Sequence, residues 1–319
     1  MKKAIVTGAT GYIGSVFVAY LIQNNIKVLA LGRKDFDDIS ATRKKKLAGS
    51  QYLKINMNEI LSLKEKMTEL GWDAGNSCNF FNLAWGGVDR LSDLDVEAQM
   101  KNVPWCVNAM EIADDLGCEK FIHVGTMEEA FTYRYLDLDH HKADQYNRHV
   151  IYSVAKIAAK KALQLKSAQL GIGLIYVLHS HVMAPDDDKD SFLQVTLEKL
   201  IDRDELIFST GEQLFDVISA KDCAYGYYLI CQKGISGREY WVGSGNPRPL
   251  REYVERMYAL YPSGREMQFG KMPYNDIKLN KEDFSIETLV EDTGYEPTMS
   301  YEEIVQELFQ SLSNQKENK

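Results

Sequence analysis

Short apolar runs alternate with stretches of helical apolar spacing through residues 1–180. Residues 3–7 and 27–31 read as strands, with a helix over 13–24 between them. Further strands are expected over 51–55, 79–84, 120–124 and 172–178. Helical spacing fills 97–116 and 150–170, and Ala155, Ala158, Ala159 and Ala162 give the second of these a face of small residues. Strands that alternate with helices predict a parallel sheet covered on both faces. After Pro185 the order becomes mixed: 186–190 is a charged loop, 214–243 returns to strand and helix character, and 246–319 is helical and irregular, with a polar tail over 311–319 that should fray.

The bulk properties narrow the classes of function. The chain has 319 residues, 45% of them hydrophobic, enough for one large α/β unit or two intimate ones. A net charge of −9 argues against a nucleic-acid partner, which requires a basic face. The first apolar run, Ala4 to Val6, passes at once into glycine and does not read as a leader, and no apolar run approaches the length of a membrane span. Cys78, Cys106, Cys118, Cys223 and Cys231 are scattered, as expected of reduced, buried thiols in a cytoplasmic protein.

Candidate chemistry begins at the N-terminus. Gly8, Gly11 and Gly14 fall between a strand and a helix, in the spacing G-x-x-G-x-x-G. Gly8 permits a tight turn, Gly11 lets the backbone approach a pyrophosphate, and Gly14 lets helix and strand pack closely, so the helix N-terminus faces the anion. At the end of the second strand, where a carboxylate would take the ribose 2′-hydroxyl of NAD, stand Gly32, Arg33 and Lys34. Two cations suit the 2′-phosphate of NADP, and Arg33 is the residue expected to hold it; NAD is the less favoured alternative.

Far downstream, Tyr152 precedes Lys156 by one helical turn. A tyrosine hydroxyl ordinarily ionises near ~10, and a neighbouring ammonium favours the tyrosinate. Paired with a dinucleotide cradle, the two imply hydride chemistry at a carbonyl or carbinol, with Tyr152 giving or taking the proton.

These motifs, Thr7-Gly8-x-x-Gly11-x-x-Gly14 and Tyr152-x-x-x-Lys156, resemble the extended short-chain dehydrogenase/reductases, the NAD-dependent epimerase/dehydratase family of sugar-nucleotide enzymes. The resemblance covers nearly the whole chain. It extends to Asn82-Leu83-Ala84 at the fourth strand, to Asn102, and to Phe121–Thr126 at the fifth strand. Gly211-Glu212-Gln213 with Asp216 and Asp222 matches a later segment, as do Val242–Gly245 and Thr293-Gly294-Tyr295-x-Pro297. It implies a Rossmann-type doubly wound α/β sheet with a smaller mixed α/β C-terminal substrate domain. Residues 1–178 and 214–244 would bind dinucleotide, and 179–213 and 245–319 would bind substrate.

The resemblance also implies site residues. Thr126, Tyr152 and Lys156 would be catalytic, with Glu128 beside them. Gly8, Thr10, Gly11, Tyr12, Ile13 and Gly14 would hold the pyrophosphate. Arg33, Asn56, Met57, Leu83, Ala84, Trp85, Asn102, Val124, Tyr152, Lys156 and His179 would also bind the cofactor. Trp85, Thr126, Met127, Glu128 and His181 would meet the substrate. A homodimer through helices 97–116 and 150–170 is implied as well, although the alanine face could equally pack on the sheet.

The departures from the family pattern refine the reaction. Dehydratases place Asp-Glu after the threonine; here Met127-Glu128 stands there, which counts against 4,6-dehydration. Phe215 replaces the arginine that commonly grips the nucleotide diphosphate, and His181 stands where a substrate-binding asparagine is common. Arg248, Arg251 and Lys271 are the cations downstream that could take the place of that arginine. Asp137-x-Asp139-His140-His141 looks like metal-ligand material, but the chemistry needs no metal and the segment reads as a solvated loop or lid. The expectation is an NADP-dependent reductase of the 4-keto group of a nucleotide-linked 6-deoxysugar. The alternatives are an epimerase or dehydratase that recycles a bound cofactor, or a non-catalytic NADP-binding sensor.

Overall fold

The computed structural model describes residues 1–75, 77–87, 95–136, 144–185, 191–273 and 277–317. Its centre is a seven-stranded sheet in which every pairing is parallel. Six of the strands are β1 (Lys3–Thr7), β2 (Lys27–Gly32), β3 (Gln51–Lys54), β4 (Cys78–Asn82), β5 (Lys120–Val124) and β6 (Gly173–His179). The seventh, Glu239–Val242, pairs with β6 at one edge, and β3 forms the other. β1 lies between β2 and β4, so the winding direction reverses there, and a crevice opens outside the carboxyl ends of these two strands.

Burial explains why the strands read as apolar runs rather than as alternating ones. β4 is buried at all five positions and β5 at its last four, because helices cover both faces. One face packs Val6, Phe17, Phe81, Ile122 and Tyr227 into a single core. The other packs Ile5, Phe80, Phe121, Ala109, Ala159 and Leu163. Ala155 and Ala159 are fully buried, so the small-residue face of the long helix Asp144–Leu170 is turned at these two positions into the protein. A third core joins Leu193, Leu197, Leu206, Val254, Met257 and Leu308 from the later part of the chain.

The helical spacing over 97–116 is carried by two helices, Val96–Met100 and Asn102–Asp115, parted at Lys101. Asp95 caps the first through a bond from the Ala98 amide (3.0 Å). Pro104 has no amide hydrogen to give the carbonyl one turn earlier, and proline is tolerated only in a first turn, so a new helix starts just before it. The break turns Asn102 inward, which matters for the site below. The expected metal-like run at 137–141 and the charged loop at 186–190 lie outside the described residues.

The five cysteines are buried and unpaired. Among the described residues no helix is long and apolar enough to cross a membrane, and no group of three acidic, histidine or cysteine side chains is placed to hold a metal ion.

Candidate active site

The glycine turn is built against the end of β4. Gly8 has φ +67°, and a Cβ added there would lie 2.9 Å from the Ala84 nitrogen, so the two loops touch through backbone. A Cβ on Gly14 would lie 2.2 Å from the Gly8 carbonyl oxygen. Thr7 bolts the two strand ends together: its hydroxyl donates to Asn82 Oδ1 (2.7 Å) and accepts from the amides of Leu83 and Ala84 (3.1 Å each). The helix Tyr12–Gln23 starts from Gly11, and no side chain caps it. Its first amides are thereby left for an anion. A cradle that any Cβ would fill, closed by a helix N-terminus, fits the pyrophosphate of a dinucleotide.

At the end of β2, Gly32 is buried, and a Cβ there would meet the Tyr52 hydroxyl at 2.6 Å and Thr10 Cγ2 at 2.8 Å. Arg33 and Lys34 are exposed beyond it, and the Tyr52 hydroxyl donates to the Lys34 carbonyl (2.6 Å). The sequence reading passed over Asp35, the nearest carboxylate. Lys54 engages it at 2.5 Å, so its charge is already paired. Asn56 is exposed and Met57 half-buried just after β3, on the same side of the sheet's end and apart from Tyr152.

The long helix carries Tyr152 and Lys156 on its buried side, 6% and 3% exposed. Lys156 Nζ donates to the Val124 carbonyl at the end of β5 (3.3 Å) and lies 4.0 Å from the centre of the Trp85 ring. Trp85 also meets Tyr152 edge to face, with ring centres 6.1 Å apart. Trp85 is fixed in turn by Gln99, which accepts from its Nε1 (2.8 Å). Asn102 clamps the next residue, accepting from the Gly86 amide (2.6 Å) and donating to the Gly86 carbonyl (3.3 Å). The structure therefore brings Trp85, Asn102, Val124, Tyr152 and Lys156 together.

Thr126 follows β5, half-buried, and its amide donates to Glu129 Oε1 (2.9 Å). Glu128 is buried in the first turn of the helix Glu128–Leu136. Met127 instead packs against the apolar cluster of Phe131, Ile277 and Phe284. Beneath these residues lies a polar pocket that the sequence did not announce. Glu129 is buried and accepts from the Tyr176 hydroxyl (2.9 Å), and the neighbouring His123 ring, also buried, bonds Asn82 (3.0 Å). Burial pushes the Glu129 carboxyl up, with Lys156 the largest influence pulling it back. Burial, and then the Lys156 charge, hold His123 neutral. Nothing in the spacing marks Glu129, Tyr176, His123 or Gln99; a glutamate or glutamine ordinarily reads as solvated surface.

On the far side of the cleft, His181 packs its ring 5.1 Å from Phe215. Burial and the neighbouring His179 lower the His181 imidazole to about 4, so it is neutral. His179 itself bonds the Ser180 carbonyl through Nδ1 (2.8 Å). Phe215 pairs in register with Arg248 of an antiparallel strand. His181 Nε2 and Arg248 Nη1 are both buried without a hydrogen-bond partner among the described residues. Arg251 lies elsewhere, stacked on Phe269 at 4.4 Å beside a cavity of about 360 Å³.

Comparison with known proteins agrees with this architecture. The model of the NAD dependent epimerase/dehydratase family matches residues 4–243. The uncharacterized protein YbjS of Escherichia coli K12 is 23% identical over 264 residues, which cover 80% of this chain and 74% of that protein. A 4-hydroxy-2-methyl-3-oxo-4-farnesyl-3,4-dihydroquinoline-1-oxide ketoreductase of Stigmatella aurantiaca is 23% identical over 273 residues, 85% of this chain and 76% of the relative. Among solved structures, dTDP-glucose 4,6-dehydratase of Bacillus anthracis in complex with NAD superposes with a TM-score of 0.76 at 18% identity, covering 99% of this chain and 98% of that one. UDP-glucose 4-epimerase of Thermotoga maritima with UDP-glucose gives 0.76 at 15% identity, covering 99% and 100%.

Proposed function

The chain belongs to the NAD dependent epimerase/dehydratase family, an enzyme of the extended short-chain dehydrogenase type, and from that premise we propose that it reduces the 4-keto group of a nucleotide-linked 6-deoxysugar at the expense of NADPH. The observation that carries the reading is the buried Tyr152–Lys156–Trp85 cluster behind Thr126, combined with Met127 in an apolar cluster where a dehydratase keeps an acid.

In this reading the glycine turn and the amides after Gly11 hold the pyrophosphate, and Arg33 takes the 2′-phosphate. The nicotinamide, when bound, supplies the hydride. Tyr152 donates its phenolic proton to the carbonyl oxygen, which leaves a phenolate that the adjacent Lys156 ammonium favours. The Thr126 hydroxyl orients the same oxygen. Trp85 keeps water from one side of Lys156 and holds the ammonium over its ring face. Glu128, buried beside Thr126, is the base that an epimerase or dehydratase would use instead. Residues 1–178 and 214–244 form the dinucleotide domain of this proposal and 179–213 and 245–319 the substrate domain. The active form is a cytoplasmic homodimer joined through the helices Asn102–Asp115 and Asp144–Leu170.

One observation favours a second reading. Phe215 and His181 make an uncharged aromatic pair where the family commonly places a diphosphate-gripping arginine and a polar asparagine. A ketone carried on a ring without a diphosphate suits that wall, and the Stigmatella relative is named as a ketoreductase of such a molecule.

The deciding experiment follows absorbance of the reduced nicotinamide with NADPH or NADH. The substrates are a panel of nucleotide 4-keto-6-deoxysugars and a matched panel of bicyclic ketones without phosphate. Stoichiometric loss of NADPH with a keto-sugar is the expected result. Loss only with phosphate-free ketones would replace the first reading by the second. Product formed without net cofactor loss would mean epimerisation or dehydration, and would move attention to Glu128.

A further inference from the structure

Glu129 does nothing in the scheme above, yet it is among the most constrained carboxyl groups in the protein. It is 5% exposed. One oxygen accepts from the Thr126 amide (2.9 Å) and the other from the Tyr176 hydroxyl (2.9 Å). A Cβ on Gly125 would lie 2.3 Å from Glu129 Oε1, so the carboxyl group rests directly on the backbone that ends β5, and only glycine leaves room for it. A surface glutamate needs none of this, and an idle buried one would be replaced without loss by an apolar residue.

The charged and titratable groups around it identify its partner. From the helix Asp144–Leu170, Lys156 and Lys160 both act on it. Lys160 is already engaged by Glu239 of the edge strand. From β6 comes the Tyr176 hydroxyl, pushed well up by burial and then by the Glu129 charge. From β5 comes His123, neutral and 5.1 Å from the Tyr176 ring. From the helix Asn102–Asp115 comes Cys106, a thiol pushed up to about 12 by burial and therefore uncharged. Of the cations that act on Glu129, Lys156 is the buried one, and it stands one turn from Tyr152.

We propose that Glu129 is a positioning residue for the reaction centre: it holds Thr126 from beneath and, through its charge, sets how strongly Lys156 favours the ionised form of Tyr152. An ionised Glu129 offsets part of the Lys156 field at the phenol, whereas a neutral residue in its place leaves that field whole. This rests on Tyr152 as the proton donor, but its test does not depend on a substrate.

Tyr152 ionisation is read as the ultraviolet phenolate difference between each protein and its Tyr152→Phe counterpart, titrated in the full-length enzyme. Glu129→Gln keeps an acceptor for the Thr126 amide and removes the charge. It should lower the apparent pKa of Tyr152 by about one pH unit. Tyr176→Phe keeps the charge and removes one hydrogen bond, and should shift that titration far less. Coincident titrations of wild type and Glu129→Gln would overturn the proposal. So would a Tyr176→Phe shift as large as that of Glu129→Gln, because the bond rather than the charge would then be the cause. Should Glu129→Gln not fold, Lys156→Met gives the reciprocal reading: the infrared band of the protonated Glu129 carboxyl should persist to higher pH, and an unchanged band overturns the idea. Failure of the wider reading would appear separately, as turnover that survives Tyr152→Phe.

Discussion

At the glycine-turn end of the cleft Gly8, Gly11 and Gly14 act by what they lack, whereas Phe215, His181 and Met127 act by the apolar and aromatic side chains they present. The first end is a backbone device. A Cβ at Gly8 or Gly14 would strike main-chain atoms, which cannot swing aside as a side chain can. The opposite wall is a side-chain device, made of a ring pair and an apolar cluster. A backbone device tolerates almost no substitution and so keeps its signature, while a side-chain wall can change its chemistry without disturbing the fold. The cofactor class is therefore much easier to read than the substrate.

The sharpest way to break this comparison lies between the two ends. Tyr152→Phe removes a hydroxyl and nothing else, and should reduce turnover on the accepted ketone by about 10²- to 10⁴-fold while leaving NADPH binding intact. Stopped-flow reduction and cofactor fluorescence measure the two separately. Full activity in this variant would remove the catalytic assignment.

The backbone device should fail next most severely. Gly14→Ala sets a methyl group 2.2 Å from the Gly8 carbonyl, so the helix Tyr12–Gln23 must move off β1. Overpacking of this kind costs about 1–3 kcal/mol. We expect a lower midpoint in thermal unfolding together with the loss of dinucleotide binding. A variant of unchanged stability that still binds NADPH would show that the turn is not held by the contact described. The corresponding change on the opposite wall, Phe215→Leu, should leave dinucleotide binding untouched, and that contrast is what the comparison requires.

A smaller effect is expected where the backbone device meets solvent. Arg33→Ala should weaken NADPH about tenfold, equivalent to one charge-assisted hydrogen bond, and leave NADH unchanged. Calorimetric titration with both cofactors checks it. Equal losses for the two would mean that Arg33 does not face a 2′-phosphate, and attention would pass to Lys34 and to Asp35, which Lys54 now holds.

The same division governs what was legible in the sequence. The strand, turn and helix at the N-terminus were readable because glycine spacing and apolar runs report backbone requirements directly. The sheet followed from six apolar runs, since a strand buried on both faces has no polar alternation to confuse it. Apolar spacing over 97–116 runs through Lys101 and does not mark the break there, which depends on one missing amide hydrogen at Pro104. Tyr152 and Lys156 were found as a pair, but the residues that hold them were not. Gln99 reaches Trp85 fourteen residues back and Glu129 reaches Tyr176 forty-seven residues on, contacts that no local periodicity reports. Burial of a glutamate is a property of its surroundings, and a linear reading assigns it to the surface.

The gentlest test concerns an ion pair beside the apolar cluster that holds Met127. Arg134, on the helix that begins with Glu128, forks onto Asp283 through two bonds of 2.7 Å, and Asp283 in turn accepts from the Asn280 amide (2.6 Å). The Arg134 guanidinium holds the Asp283 carboxyl below its usual range. Arg134 is about one-third exposed, so the pair is screened by solvent, and Arg134→Ala should cost only about 0.5–1 kcal/mol at neutral pH. A carboxyl whose ionised form is favoured in the folded state adds stability above the unfolded value, ordinarily near ~3.9, and loses it as pH falls through the lower, folded value. The difference in melting temperature between wild type and Arg134→Ala should therefore be full at neutral pH and close in strong acid. A gap that stayed constant down to that range would mean that Arg134 acts through packing of its stem rather than through charge.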